Sequence, residues 1–147
     1  MTDRQVSGAG SAVDIGLLVL RVGIGVMFMV FGFPKLLGGP EKWAGLGQAM
    51  AAVGISFAPV FWGFMAAASE FFGGLCLVLG LLVRPFTFLL TITMVVATIM
   101  LVRGGAELVT FSHALNMAIV FAGLTLTGGG RHVLGRYVNP LSGKWFQ

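Results

Sequence analysis

Along the chain, four long apolar runs alternate with short polar interruptions. The runs span about Asp14 to Phe33, Ala58 to Leu82, Phe86 to Val102 and Leu108 to Thr127. Each holds roughly 20 residues, enough for an α-helix to cross a hydrocarbon layer of about 30 Å. Inside that layer every backbone N–H and C=O must be satisfied within the segment, which selects helices. The pattern therefore predicts an all-α fold, an integral membrane four-helix bundle over residues 14–130. Residues 1–13 are polar and rich in Gly and Ser, and are expected to fray ahead of Asp14, which suits a helix cap. The longest connection runs from Leu36 to Phe57, and in it Trp43, Leu46, Met50 and Val53 recur at helical spacing. Glu41 to Val53 is read as a short interfacial helix between spans one and two, opened by Pro40 and closed by Gly54. That helix is either a plain connector or a lid. Arg84 and Pro85 are read as a tight turn that makes spans two and three antiparallel neighbours. Gly128 to Gly130 ends the last span. Residues 131–147 interleave Arg131, Arg136 and Lys144 with Tyr137 and Trp145, the pattern of a membrane-surface segment.

Composition narrows the class. Hydrophobic residues make up 57% of the 147 and charged residues 10%, against about 25% charged in soluble domains. No stretch is left for a second, soluble domain. The first run is too long for a signal-peptide core and contains Arg21. The net charge of +4 lies mostly outside the spans and is read as an orientation signal, not as nucleic-acid binding. With four spans, Arg4, Arg84, Arg131, Arg136 and Lys144 share one side, and Lys35, Lys42 and Arg103 share the other. That imbalance predicts both termini in the cytoplasm. Cys76 is the only cysteine, which excludes an internal disulfide, a CxxC redox pair and a cysteine zinc cluster. His113 and His132 flank the last run at opposite ends, so no bis-His haem is expected. Glu107 with His113 would give a metal only two ligands, and no metal is expected.

The candidate chemistry centres on Glu70, one carboxylate near the middle of span two. At about 1.5 Å per residue it lies roughly 18 Å from either end of its run. A carboxylate at that depth faces protein, finds a partner or stays protonated. Ser69 and Gly73 flank it at small-residue spacing, so this helix face is expected against another helix. Arg21 enters from the terminal side about 10 Å deep, while His113 and Asn116 share a face of span four and enter from the other side. Lys35 stands at that mouth. These five polar groups are placed on one interior seam, with Arg21 either holding the Glu70 charge or snorkelling to the near interface. The bland account is a structural ion pair that fixes helix register. The functional account is a buried acid, Glu70, that carries protons beside a quinone or small substrate, with His113 bonded to a carbonyl oxygen and Arg21, Lys35 and Asn116 lining the ligand. No phosphate-binding glycine loop or nucleophile–base pair is present.

These residues resemble the DoxX family of small four-span membrane proteins, over about Leu17 to Arg131. Leu20-Arg21 with Gly25 resembles the opening of its first span, and Gly32-Phe33-Pro34-Lys35 its G-x-x-K. Val53-Gly54-Ile55 is similar to its turn before span two. Glu70-Phe71-Phe72-Gly73-Gly74 and Leu79-Gly80-Leu81-Leu82-Val83-Arg84 match E-x-x-G-G and G-L-x-x-R, and Gly128-Gly129-Gly130-Arg131 resembles the end of span four. Gly73, Gly74 and Arg84 are structural positions on this reading. The chain departs at Val133-Leu134-Gly135-Arg136, which lacks the acidic residue of the pattern. The resemblance implies a quinone-facing membrane subunit of an oxidoreductase, since relatives include the membrane subunit of a thiosulfate:quinone oxidoreductase and proteins linked to redox partners. Its partners would be the lipid bilayer, a redox protein and further copies of itself. A transporter of small solutes or protons, and a non-catalytic anchor, are the alternatives.

Overall fold

The computed structural model describes residues 3–133. Five α-helices and one 3-10 segment follow in order: α1 Asp3–Leu36, α2 Gly39–Gly47, the 3-10 turn Gln48–Val53, α3 Pro59–Leu79, α4 Val83–Arg103 and α5 Leu108–Thr127. No strand occurs among the described residues. Four helices (α1, from Gly10 onward, α3, α4 and α5) are long and apolar enough to cross a membrane. Their outward faces are apolar, with Val19, Val30, Leu108, Ile119 and Leu126 all more than half exposed. A bundle that turns such side chains outward has hydrocarbon, not water, as its complement.

Several boundaries move for local reasons. The polar start expected to fray is helical from Asp3. Asp14 lies well inside α1 and does not cap it. Instead its Oδ1 accepts from the Arg131 N–H at 3.0 Å and its Oδ2 pairs with Arg131 Nε at 3.4 Å. Pro34 does not end α1, which runs on to Leu36. The expected Arg84–Pro85 turn is displaced by three residues. Gly80 (φ 68°) takes the left-handed conformation that ends α3, and Leu82 (φ 47°) turns the chain into α4. Arg84 and Pro85 then fall in the first turn of α4, where a proline ring costs no hydrogen bond. Arg84 donates from Nη2 to the Leu126 carbonyl at 3.2 Å, tying the start of α4 to the end of α5. The segment expected as one interfacial helix is two pieces, α2 and the 3-10 turn, closed by Gly54 at φ 88°. Of the surface tail, only Arg131 to Val133 fall within the described residues.

The buried core lies toward the terminal ends of the helices. Leu77, Val83, Leu90, Phe121 and Leu124 are at most 3% exposed. Phe28 meets Phe121 edge to face at 4.8 Å across α1 and α5. Gly128 to Val133 returns against this end. The buried Arg21 donates from Nη2 to the His132 carbonyl, and its guanidinium lies against Gly80 and Gly129.

Candidate ligand site at the Lys35–Glu70 pair

The site follows from how closely α1 and α3 approach. A Cβ on Gly74 would lie 2.6 Å from the Gly25 carbonyl oxygen, and one on Gly25 would lie 2.7 Å from the Gly74 oxygen. One further heptad along α1, a Cβ on Gly32 would lie 2.7 Å from the Phe71 nitrogen. Backbones packed this closely require glycine, as small residues at membrane helix contacts do in general. Gly73 faces the other way and receives Leu90 of α4, at 3.0 Å from a Cβ built there. Gly32 thus seats α1 on the backbone of Glu70 and Phe71, and Lys35 lies nearly one turn on.

Lys35 Nζ donates to Glu70 Oε2 at 2.6 Å. The Glu70 side chain is 8% exposed and that of Lys35 33%. The pair is held from outside by α2. Trp43 Nε1 donates to the Lys35 carbonyl at 3.0 Å, and Lys42 Nζ to the Pro34 carbonyl at 3.4 Å. Both acceptors are carbonyls of the last turn of α1, and that of Lys35 also accepts from the Gly38 N–H at 3.2 Å. Helix α2 is in turn locked to α3, because a Cβ on Gly63 would lie 1.7 Å from the Trp43 oxygen and one on Gly47 1.8 Å from the Pro59 oxygen. Of the two readings of this segment, connector or lid, the structure gives a clamp.

Two hollows meet at the pair. A cleft of about 650 Å³ lies between α1, α4 and α5, lined by Met27, Phe31, Met94, His113 and Asn116 among others. A chamber of about 420 Å³ lies between α3 and α4 beneath α2 and the 3-10 turn. Lys35, Glu70 and Ala97 border both. Either volume is in the range of ordinary small-molecule sites, about 300–1,000 Å³. The close-packed core of Leu77, Leu90 and Phe121 lies on the terminal side of the pair.

Four of the five seam residues, Lys35, Glu70, His113 and Asn116, therefore line one cleft. Arg21 is the correction. It forms no ion pair with Glu70 within 4.0 Å, and its described partner is the His132 carbonyl. The reason is register: Gly32 brings the end of α1 to Glu70, and Arg21 lies eleven residues earlier, about 16 Å along the helix. His113 and Asn116 sit exposed on the cleft wall. His113 Nδ1 is 3.1 Å from the Val109 carbonyl, which only accepts, so Nδ1 carries the hydrogen and Nε2 is left for a ligand. Among the described residues no three His, Cys, Asp or Glu side chains come together, so a metal would find at most two such ligands. Sequence reasoning gave Gly32 and Trp43 no part in the site. The seven-residue spacing of Gly25 and Gly32 carried the signal for the first.

The family model described as DoxX matches residues 16–103, a stretch that contains Arg21, Lys35 and Glu70. The inner membrane protein YqjF of Escherichia coli (strain K12) is 31% identical over 136 residues, covering 90% of this chain and 96% of its own length. The inner membrane protein YphA of the same organism is 32% identical over 80 residues, 54% of each chain. No solved structure matches.

Proposed function

The chain is an integral membrane protein that belongs to the DoxX family, and on that premise we propose that it is the quinone-facing membrane subunit of an oxidoreductase. Its place would be the bacterial inner membrane, as the names of its two relatives support, with both termini in the cytoplasm. The observation that carries this reading is a Lys–Glu ion pair bordering a cleft that His113 and Asn116 also line. The pair supplies an ammonium and a carboxylate in one hydrogen bond at membrane depth. A quinone carbonyl seated there takes a hydrogen bond from Lys35 Nζ, which stabilises the negative charge that develops on oxygen as the ring is reduced. Glu70, protonated from the mouth of the cleft, passes one proton to that oxygen, the second oxygen takes its proton from water at the mouth, and His113 Nε2 accepts from a hydroxyl of the quinol so formed. Reduction to the quinol consumes two electrons and two protons, and the electrons come from a redox partner protein. The packed core on the terminal side of Glu70 favours a ligand site over a transport path through the bundle.

Binding of decylubiquinone to the purified protein tests this reading. Lys35→Gln removes a charged donor to the ligand and is expected to weaken binding about tenfold or more, with smaller losses for Asn116→Ala. A wild-type protein that retains no native quinone and binds none would leave the anchor role as the better account.

A further inference from the structure

Helix α1 outgrows the bundle. It runs for 34 residues, against 20 or 21 for α3, α4 and α5. The Arg21 guanidinium lies against Gly80, which ends α3, and Gly129, just past α5. Everything in α1 before Arg21 therefore projects past its neighbours, by about 16 Å from Gly10 to Leu20. The returning segment meets one side of this extension, where Gly130 lies against Leu17 and Arg131 pairs with Asp14. The other side is bare. Val13 is 62% exposed, Ile15 52% and Val19 67%, and a Cβ on Gly16 would meet nothing within 4 Å. Val83 also lies against Gly129, so Arg84 stands at the level of Arg21, where basic side chains mark the edge of hydrocarbon. Beyond that edge lipid tails cannot cover valine and isoleucine, and an apolar stripe there calls for protein.

The pattern along that bare side identifies the protein that fits. Ala12, Gly16, Val19, Gly23, Val26 and Val30 recur at alternating spacings of four and three, and all six are exposed. This is the heptad of a two-helix seam. Val19 and Val26 fall at one core position, where β-branched side chains favour parallel pairs. Gly16 and Gly23 fall at the other, each with open space at its Cβ position, so a partner helix can approach closely. The seam carries no charge and runs unbroken from the extension into the membrane-spanning part. Its partner must therefore present a matching stripe at the same depth. A second copy in the same orientation does so, because a two-fold axis along the membrane normal sets Val19 on Val19 and Gly23 on Gly23. We propose that two copies of this chain pair through α1, in parallel, from Ala12 to Val30. Half the surface of a cylinder that long and about 10 Å wide is roughly 400 Å² per copy, a small interface. Copies that already share one plane and one orientation pay less to associate. Gly23 and Met27 also edge the cleft, so the partner's helix stands at its rim. The inference does not depend on the quinone reading.

The test uses the full-length protein in vesicles of phosphatidylethanolamine and phosphatidylglycerol. In a Cys76→Ser background, Ala12→Cys and Val19→Cys are expected to form disulfide-linked dimers on mild oxidation. Ile15→Cys, on the flank of the seam, and Leu126→Cys, exposed on α5, are expected to stay monomeric under the same conditions. Native mass spectrometry in mild detergent is expected to show twice the 15.5 kDa chain. Val19→Arg sets two like charges across the seam and is expected to weaken the dimer about tenfold or more. Gly16→Trp is expected to abolish it, whereas Gly16→Ala, still small, keeps it. Both positions are exposed, so circular dichroism should report unchanged folding in each variant. A wild-type protein that is monomeric in the vesicles would overturn the proposal. So would linking at Leu126→Cys as efficient as at Val19→Cys, or a dimer that Val19→Arg and Gly16→Trp leave intact. A photoreactive group at position 19 that labels residues 134–147 of its own chain instead of a second copy would overturn it as well.

Discussion

Lys35 meets Glu70 at a depth where one charge without the other is expensive. Removing one member of a fully buried pair costs about 3–5 kcal/mol. Here the loss is smaller, because Lys35 keeps a third of its side chain exposed. Lys35→Leu and Glu70→Leu should each lower detergent thermostability, and the double variant should recover part of the loss. Arg21→Leu combined with Glu70→Leu should instead be additive to within about 0.5 kcal/mol, as for residues that share no partner. A coupling between Arg21 and Glu70 larger than that would contradict the geometry. That Glu70 would face protein and need a partner was legible in the sequence, because a single acid in the middle of an apolar run has few explanations. Its partner was not. Depth along a helix follows from counting residues, whereas rotation about the helix axis depends on which small residues touch, and Arg21 and Lys35 compete on depth alone.

At the scale of elements, glycine contacts determine what reaches what. Gly32 lies on the backbone of α3, so Gly32→Val should push α1 away, cost about 1–3 kcal/mol as overpacking does, and weaken quinone binding with it. Gly16, on the same helix with nothing within 4 Å of its Cβ position, is the control, and Gly16→Ala should leave both measurements unchanged. Gly63→Val should free α2, which limited trypsin digestion would report as faster cleavage at Lys42. Unaltered digestion would show that α2 is not clamped. The four spans were readable from run length, because hydrocarbon thickness sets helix length. The break of the interfacial helix into α2 and a 3-10 turn was not, since Gly47 must bring its backbone against Pro59, a contact between segments a dozen residues apart. The turn before α4 was misplaced because Arg84-Pro85 looks like a turn locally, while Gly80 had already ended α3.

For the whole molecule, the two halves of the bundle differ. One half is packed by Leu77, Leu90 and Phe121, and Arg21 and Asp14 hold the returning segment at Arg131 and His132. The other half carries the two hollows and the ion pair. If the termini are cytoplasmic, the hollows belong to the periplasmic leaflet. A reporter that fluoresces only in the cytoplasm, fused after Gln147, should give signal, and a periplasmic reporter active there would invert the assignment.

The central claim is that Glu70 moves protons for a ligand in the cleft and does more than fix helix register. Glu70→Gln preserves size and most hydrogen bonding but cannot ionise. The most direct measurement is quinone turnover by this variant in its native complex, alongside its melting temperature. The account predicts a folded, assembled protein in which turnover is lost. A Glu70→Gln protein that stays assembled and turns over quinone at the wild-type rate would contradict it.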